Sequence, residues 1–266
     1  MMKKILFPIL LASAVVLSCS ASRNYTMVQY NVGRFQKFED SMEPVSKMMK
    51  KVKADVISLN ELDSSVVSSN HVFQLKQFAS MMGSWNYSWG KAKNYKDGTY
   101  GIGIASSPEH NVLSSAHFVL DKGEGKETRA FVVNEYEDFI FISTHIEVSH
   151  VPTRMMQVKV VDDYVREHYA DSQKPVFLLG DFNSRPESVV MSYMRENWTI
   201  ISPEDAFTLP HHRKSPRCVD YVLLFNNPGA AKVKVLSAYV PDKLKGGDIE
   251  KASDHRPVIV KVRIEK

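Results

Sequence analysis

Apolar residues recur along this chain with two different periods, and the alternation between them predicts a layered α/β protein. Residues 25–32 are rich in β-formers and predict a strand. Residues 42–53 carry Val45, Met48, Met49 and Val52 at helical spacing with lysines between them. A strand over 54–59 and a helix over 72–82 follow, the helix with Phe73, Leu75, Phe78, Met81 and Met82 facing inward. Residues 85–89 and 100–106 predict strands separated by a Lys/Asp/Gly turn. Three consecutive strands are predicted over 112–120, 128–135 and 139–144, the first two joined as an antiparallel hairpin by the turn 121–126. A long helix over 152–169 keeps Met155, Val158, Val161, Val165 and Tyr169 along one side. Then come a fully apolar strand over 175–179, a short helix over 188–197, and strands over 219–224, 233–240 and 257–264. No repeat, low-complexity block or long linker interrupts the series. Interspersed helices and strands predict α/β layers rather than an all-β sandwich, in one domain over 25–266.

The first residues stand outside this pattern. Lys3 and Lys4 precede an apolar run from Ile5 to Leu17, the size of a signal-peptide core and short for a bilayer span. The run ends in Val16-Leu17-Ser18-Cys19, which resembles a bacterial lipobox, where a diacylglyceryl group is attached to the cysteine. Leu17 departs from the small or β-branched residue usual at its position, so a plain secretory signal and an uncut anchor stay open as alternatives. Residues 1–19 are therefore expected to be a signal ending in a lipidation site, with 20–24 a polar tether. The protein is expected to be exported and held at the bacterial cell envelope, on the periplasmic or outer-membrane side, by a lipid anchor on Cys19.

At 44% hydrophobic and 24% charged, the composition is that of an ordinary soluble domain. Losing Lys3 and Lys4 with the signal lowers the formal charge from +4 by two, to +2. That is too little to mark a nucleic-acid binder by charge alone. The other cysteine, Cys218, would then have no partner, and its neighbours predict a small buried residue entering a strand.

Chemistry-bearing residues gather at the ends of the predicted strands, where rigid scaffolds present functional groups. Phe177-Leu178-Leu179 runs into Gly180-Asp181-Phe182-Asn183. In strand geometry Asp181 and Asn183 point the same way and Phe182 points to the core. A carboxylate can activate a water while an amide binds an anionic oxygen, although an Asp/Asn turn would look the same. Ser253-Asp254-His255-Arg256 precedes the last strand, and neighbours in an extended chain point apart, so Asp254 and His255 should do different work. Glu61, after Ile57-Ser58-Leu59-Asn60, is a carboxylate suited to a hard cation. Asn31 ends the first strand, His145 ends the Phe141–Thr144 run, and Asp220 begins a later strand, where it could orient a histidine. Each of these, taken alone, also fits a solvated turn or a structural side chain.

Taken in order, the clusters resemble the endonuclease/exonuclease/phosphatase superfamily, which has the deoxyribonuclease-I-like fold. The matching pieces are Tyr-Asn-Val, Asn-Glu-Leu, Tyr-Gly-Ile-Gly-Ile-Ala, Thr-His, Arg-x-x-Gln, Gly-Asp-Phe-Asn, Asp-Tyr-Val-Leu and Ser-Asp-His-Arg-Pro. They cover nearly the whole chain after the signal. Asn60 is the departure, since many members have Gln before the metal-binding Glu. The resemblance implies a four-layer sandwich, two packed mixed β-sheets flanked by helices, with the site at one end. It implies Mg²⁺ or Mn²⁺ held by Glu61, helped by Asn31 and Asp254. It gives Asp181 the activation of water, Asn183 and His145 the non-bridging phosphate oxygens, and His255, oriented by Asp220, the polarisation of the phosphate.

Secondary candidates are Tyr100 and Asp97, where relatives place phosphate-contacting or His-orienting groups, and Arg154, at a helix start. Asp97-Gly98 reads more simply as a turn, and Arg154 as support for the site. His211, His212, Arg213, Lys214 and Arg217 form a basic loop before Asp220, solvated or in reach of a second phosphate or lipid headgroup. The expected function is metal-dependent hydrolysis of a phosphomonoester or phosphodiester by direct water attack. Nucleic acid, a phospholipid headgroup and an inositol phosphate all remain open as substrate, and no obligate protein partner is evident. The rival is a non-catalytic phosphate- or lipid-binding lipoprotein with the same fold.

Overall fold

In the computed structural model, residues 22–210 and 215–265 are described. The signal segment, Cys19 and the stretch 211–214 of the basic loop lie outside them. β1 (Arg23–Asn31) leads through α1 (Met42–Val52) to β2 (Val56–Ser64), and α2 (Gln74–Gly83) leads to a hairpin of β3 (Asn86–Tyr95) and β4 (Gly98–Ser106). The chain then makes β5 (Ser114–Leu120), β6 (Arg129–Glu135) and β7 (Ile140–His145). It continues through α3 (Val151–Tyr169), β8 (Val176–Asp181), α4 (Val189–Asn197), β9 (Trp198–Ile200) and β10 (Asp220–Phe225). β11 (Lys232–Tyr239), the single turn α5 (Ile249–Ala252) and β12 (Val258–Glu265) close the fold.

Two six-stranded mixed sheets result, ordered β11-β12-β1-β2-β4-β3 and β5-β6-β7-β8-β10-β9. Each is built around one parallel pair, β1 with β2 and β7 with β8, and every other pairing is antiparallel. A parallel pair needs a long crossover, which α1 supplies in the first sheet and α3 in the second. Both pairs therefore finish at the same end of the sandwich, with Asn31 and His145–Asp181 as their last residues.

The apolar pattern explains the stacking. Along β8 the side chains alternate: Phe177 and Leu179 enter the layer between the sheets with Met27, Phe141 and Val260, while Leu178 faces Val158, Val161 and Trp198 on the helical side. β8 is covered on both faces, hence its uninterrupted apolar run. On the other flank α1 and α2 bury Val45, Met48, Leu75 and Phe78 against Ile57 and Leu59. The buried Asp162 of α3 accepts hydrogen bonds from Trp198 Nε1 (2.7 Å), Asn197 and Tyr193, so the α3–α4 seam carries no unpaired carboxylate. No helix among the described residues is long and apolar enough to cross a membrane.

The four-layer sandwich agrees with the architecture the resemblance implies. Three details differ from the sequence reading. β2 runs on to Ser64 through a bulge between Leu59 and Leu62, so Glu61 sits within a strand and not after one. β9 and α5, of three and four residues, are too short to show a period. β3 extends to Tyr95 because its pairing with β4 continues past the apolar stretch.

Candidate active site

The ends of the parallel pairs meet at one pole in a cavity of about 540 Å³, lined by Lys37, Glu61, Arg129, His145, Val148, Asp181, Asn183, Asp254 and His255, with Phe38 and Leu209 at its rim. Asp181 is the last residue of β8, almost wholly buried. Its Oδ1 accepts the Asn183 backbone N–H at 2.9 Å and its Oδ2 accepts Asn31 Nδ2 at 3.1 Å. Asn183 lies beyond the strand with φ +48°, so a turn, not strand alternation, brings it beside Asp181. Phe182 does point into the core, as strand geometry requires. Gly180 permits the approach: a Cβ there would meet the Thr144 carbonyl oxygen at 2.3 Å.

Opposite Asp181, His255 Nδ1 is 2.8 Å from Oδ2 of the buried Asp220, the first residue of β10, while Nε2 lies 3.7 Å from Asp181 Oδ2. One ligand atom from each of Asp181, Asp220 and His255 lies within 4.8 Å of the others, so an acidic and histidine cluster forms the floor. Asp254 turns the other way and meets Lys37 Nζ at 2.8 Å, so the two neighbours have different partners. Burial and the charge of Asp220 push the Asp181 carboxyl up to about 7, against the opposing pull of His255 and the Asn183 and Asn31 N–H groups. Burial alone would lower His255. The Asp220 charge and hydrogen bond, with Asp181 and Asp254, overcome it and raise the imidazole to about 10. His145 is the reverse case: burial, then the charges of Arg129 and His255, hold it well below the usual histidine value. The site thus pairs a carboxylate near neutral pH with one charged and one neutral imidazole.

Arg129 escaped the sequence reading. It begins β6, is buried, and places Nη1 3.1 Å from His145 Nδ1. A guanidinium only donates, so Nδ1 accepts and the proton of neutral His145 sits on Nε2, which lies 3.3 Å from Asn183 Nδ2 and 3.5 Å from Asp181 Oδ2. A buried polar layer between the sheets was also missed. Gln29 Nε2 donates to Asn60 Oδ1 (2.7 Å) and Asp220 Oδ1 (3.1 Å), and Ser58 bonds Gln29 and Ser143. Asn60, the departure from the usual pattern, accepts the Asp181 N–H at 3.0 Å and donates to the Thr144 carbonyl at 3.0 Å, tying the two sheets directly under the site. The only sequence signal was a polar residue at inward positions of apolar strands.

A divalent cation is implied by the family resemblance, and the oxygen donors can be tested for it. Glu61, at φ +58° on the β2 bulge, lines the cavity, and among the described residues no cation pairs with it. It accepts a hydrogen bond from Asn31 Nδ2 at 3.1 Å. Asn31 turns its oxygen to the Gly33 N–H and its nitrogen to the two carboxylates, and Asp254 meets Lys37. The set is all hard oxygen, with one unneutralised carboxylate, and it suits Mg²⁺ or Mn²⁺ provided Asn31 and Asp254 leave their present partners.

The secondary candidates divide. Tyr100 is buried behind the cavity on β4, raised well above the usual tyrosine value by burial and then by Glu61, with Lys93 Nζ 5.2 Å from its ring centre. Asp97 accepts the Val67 N–H from the turn and does not reach the cavity. Arg154 donates to the Val148 carbonyl at 2.7 Å on the cavity wall. Cys218 is buried, its thiol pushed up to about 12 chiefly by burial.

Two mixed sheets with a carboxylate and imidazole cluster where their parallel pairs end define a class of α/β sandwich with its polar site at one pole. Within that class the chain belongs to the Endonuclease/Exonuclease/phosphatase family, whose sequence model matches residues 28–255. Similar solved structures share the fold. An endonuclease/exonuclease/phosphatase from Bacteroides vulgatus superposes with a TM-score of 0.72 at 15% identity, over 91% of this chain and 100% of that one. The mannosyl-6-phosphatase of Bacteroides thetaiotaomicron does so with 0.65 at 16%, over 90% and 99%. The human Nocturnin catalytic domain with bound sulfate gives 0.69 at 16%, over 90% and 93%. Comparison with curated proteins gave no match.

Proposed function

We propose that this chain hydrolyses phosphate esters by direct attack of water, with Mg²⁺ or Mn²⁺ as cofactor. The observation that carries the reading is the Asp181–His255–Asp220 cluster sharing one cavity with Glu61 and the donors of His145 and Asn183. Asp181 would take the proton of the attacking water, which suits a carboxyl raised toward 7. His255, held charged by Asp220, would donate to the phosphate, and the Nε2–H of His145 with the Asn183 amide would bind non-bridging oxygens as charge develops on them. A cation held by Glu61, with Asn31 and Asp254 released to it, would neutralise phosphate charge. The phosphorus–oxygen bond breaks with no covalent enzyme intermediate. Among similar structures, one bears the name of a mannosyl-6-phosphatase, which supports a small phosphorylated substrate. Export and a lipid on Cys19 belong to the same proposal, supported by the apolar run before that cysteine.

The test is hydrolysis of bis- and mono-(4-nitrophenyl) phosphate by the chain from Ser20 onward, with Mg²⁺, with Mn²⁺ and with EDTA. Cleavage that EDTA abolishes and either metal restores is expected. Undiminished cleavage in EDTA would sink the metal role. Failure to cleave either probe, in a folded sample, would favour the binding-protein alternative.

A further inference from the structure

The outer face of the first sheet is basic at the end away from the cavity. Val233, Val262 and Ile264 pack between the sheets, so alternation turns Lys232 and Lys234 of β11 and Lys261 and Arg263 of β12 the other way. Register sets them side by side. Lys234 lies opposite Arg263, which lies opposite Asn24 of β1, and Lys261 stands between Ser237 and Thr26. Side chains so paired are about 5 Å apart at Cβ. A bulge between Val235 and Ser237 brings Ser237 and Tyr239 onto the same face. Tyr239 leads into a cleft of about 640 Å³ that Lys51 of α1, Lys243 and Lys245 also line. The six lysines are exposed, and Arg263 donates from Nε to Asn24 Oδ1 at 3.0 Å. Among the described residues no ion pair neutralises any of the seven cations. Glu265, opposite Lys232, is the one carboxylate in the ladder. Those nearest in the chain are engaged, Asp55 by the Thr26 N–H and His110, and Asp242 by Arg256. The whole chain has a formal charge of only +4, so this face gathers more positive charge than the molecule carries net.

Like charges crowded on one solvated face repel each other, and a plane of anions laid over them removes the repulsion. A flat sheet face suits such a plane better than a single-stranded polymer, which is held along a groove. The chain also enters here. Five residues lead from Cys19 to Asn24, at most about 18 Å of chain, and Asn24 lies in the row of Arg263 and Lys234. We propose that this face docks on an anionic phospholipid surface, the lysines over the phosphates and Tyr239 at the level of the headgroups. A polybasic face seconds a lipid anchor in this way, because it adds an electrostatic hold to the one made by the acyl chains. The cavity, at the opposite end of β1, stays clear of the contact. The inference goes beyond the hydrolase reading, and its test needs no turnover.

The experiment sediments the chain from Ser20 onward, which holds every described element and no acyl chain, with two kinds of vesicle. One is phosphatidylcholine alone, the other phosphatidylcholine with phosphatidylglycerol at about one part in three. Each basic side chain at an anionic surface is worth about fivefold in partitioning. Binding is expected to the anionic vesicles alone, falling by about tenfold or more between low salt and about 0.5 M salt. The triple change Lys232→Glu, Lys234→Glu and Lys261→Glu should lower it by about tenfold or more, and arginine at the same three positions should keep it. The three side chains are exposed, so the variants should fold, which a melting curve checks; glutamine at these positions serves if the glutamates do not. An equal change of charge on the side of the second sheet, Lys122→Glu, Lys126→Glu and Lys159→Glu, should have a much smaller effect. No binding to the anionic vesicles, equal binding to both kinds, or an equal loss in the two glutamate triples would each overturn the inference. So would single-stranded DNA that strips the protein from the vesicles at equal phosphate concentration, since the partner would then be a nucleic acid.

Discussion

Asp181 is asked to be both buried and basic, and its surroundings show how the two are reconciled. Burial and Asp220 raise it, while Asn31, the Asn183 N–H and charged His255 keep it from rising further. Asp181→Asn should preserve the melting temperature and lower turnover by about 10²–10⁴-fold, the range of a lost general base; full activity would remove the residue from proton transfer. His255 leads to a pH prediction. Its folded value of about 10 lies above its ordinary 6.5, so the stability it contributes is complete below 6.5 and is lost as pH rises through 10. Asp181 acts in the same direction, its contribution complete below 3.8 and lost through about 7. The metal-free protein in EDTA should therefore melt at lower temperature at pH 9.5 than at pH 6. In Asp220→Asn the decline above pH 6.5 should flatten, because the counter-charge that holds the imidazolium is gone. Equal slopes in the two proteins would contradict this origin.

Among the elements, the join of β7 to β8 is the one most sensitive to change. His145 and Asp181 are register partners across it, and Gly180 lies against Thr144 beside them. Gly180→Ala would set a Cβ 2.7 Å from Thr144 Cγ2 as well as on its carbonyl oxygen, forcing the two strands apart. It should cost about 1–3 kcal/mol of stability in urea unfolding and lower turnover by displacing both site residues; unchanged stability would mean the strands yield freely. Elements of this kind were legible from sequence because an apolar run ending in a polar residue is a local signal, true of Asn31, His145 and Asp181. Glu61 was found, but its bulge was not, since a bulge depends on the partner strand. Arg129, Gln29 and the bridging role of Asn60 were invisible for the same reason: Arg129 acts on the neighbouring strand and the other two across the sheets, and sequence order alone brings neither set together. The left-handed turn at Asn183 imitated strand alternation, so a sound conclusion came from the wrong geometry.

Over the whole molecule, β1 sets a direction. Its last residue, Asn31, stands in the site, and its first, Arg23, pairs with Ile264 near the other end of the chain. The nine residues of β1 place Arg23 and its partner Ile264 about 26 Å below the mouth. Attachment to a solid support through either end should therefore leave turnover of bis(4-nitrophenyl) phosphate largely intact, whereas coupling through a cysteine introduced at the rim residue Phe38 should suppress it. Loss of activity in the first case would mean that the ends and the mouth share a side. The same polarity bears on the lipid proposed at Cys19. Few residues separate that cysteine from β1, too few for the body to turn over and press its mouth to the bilayer. A protein moored so would stand with its back to its own membrane and collect from the surrounding fluid, and its diet would be dissolved phosphates, not the lipids beneath it.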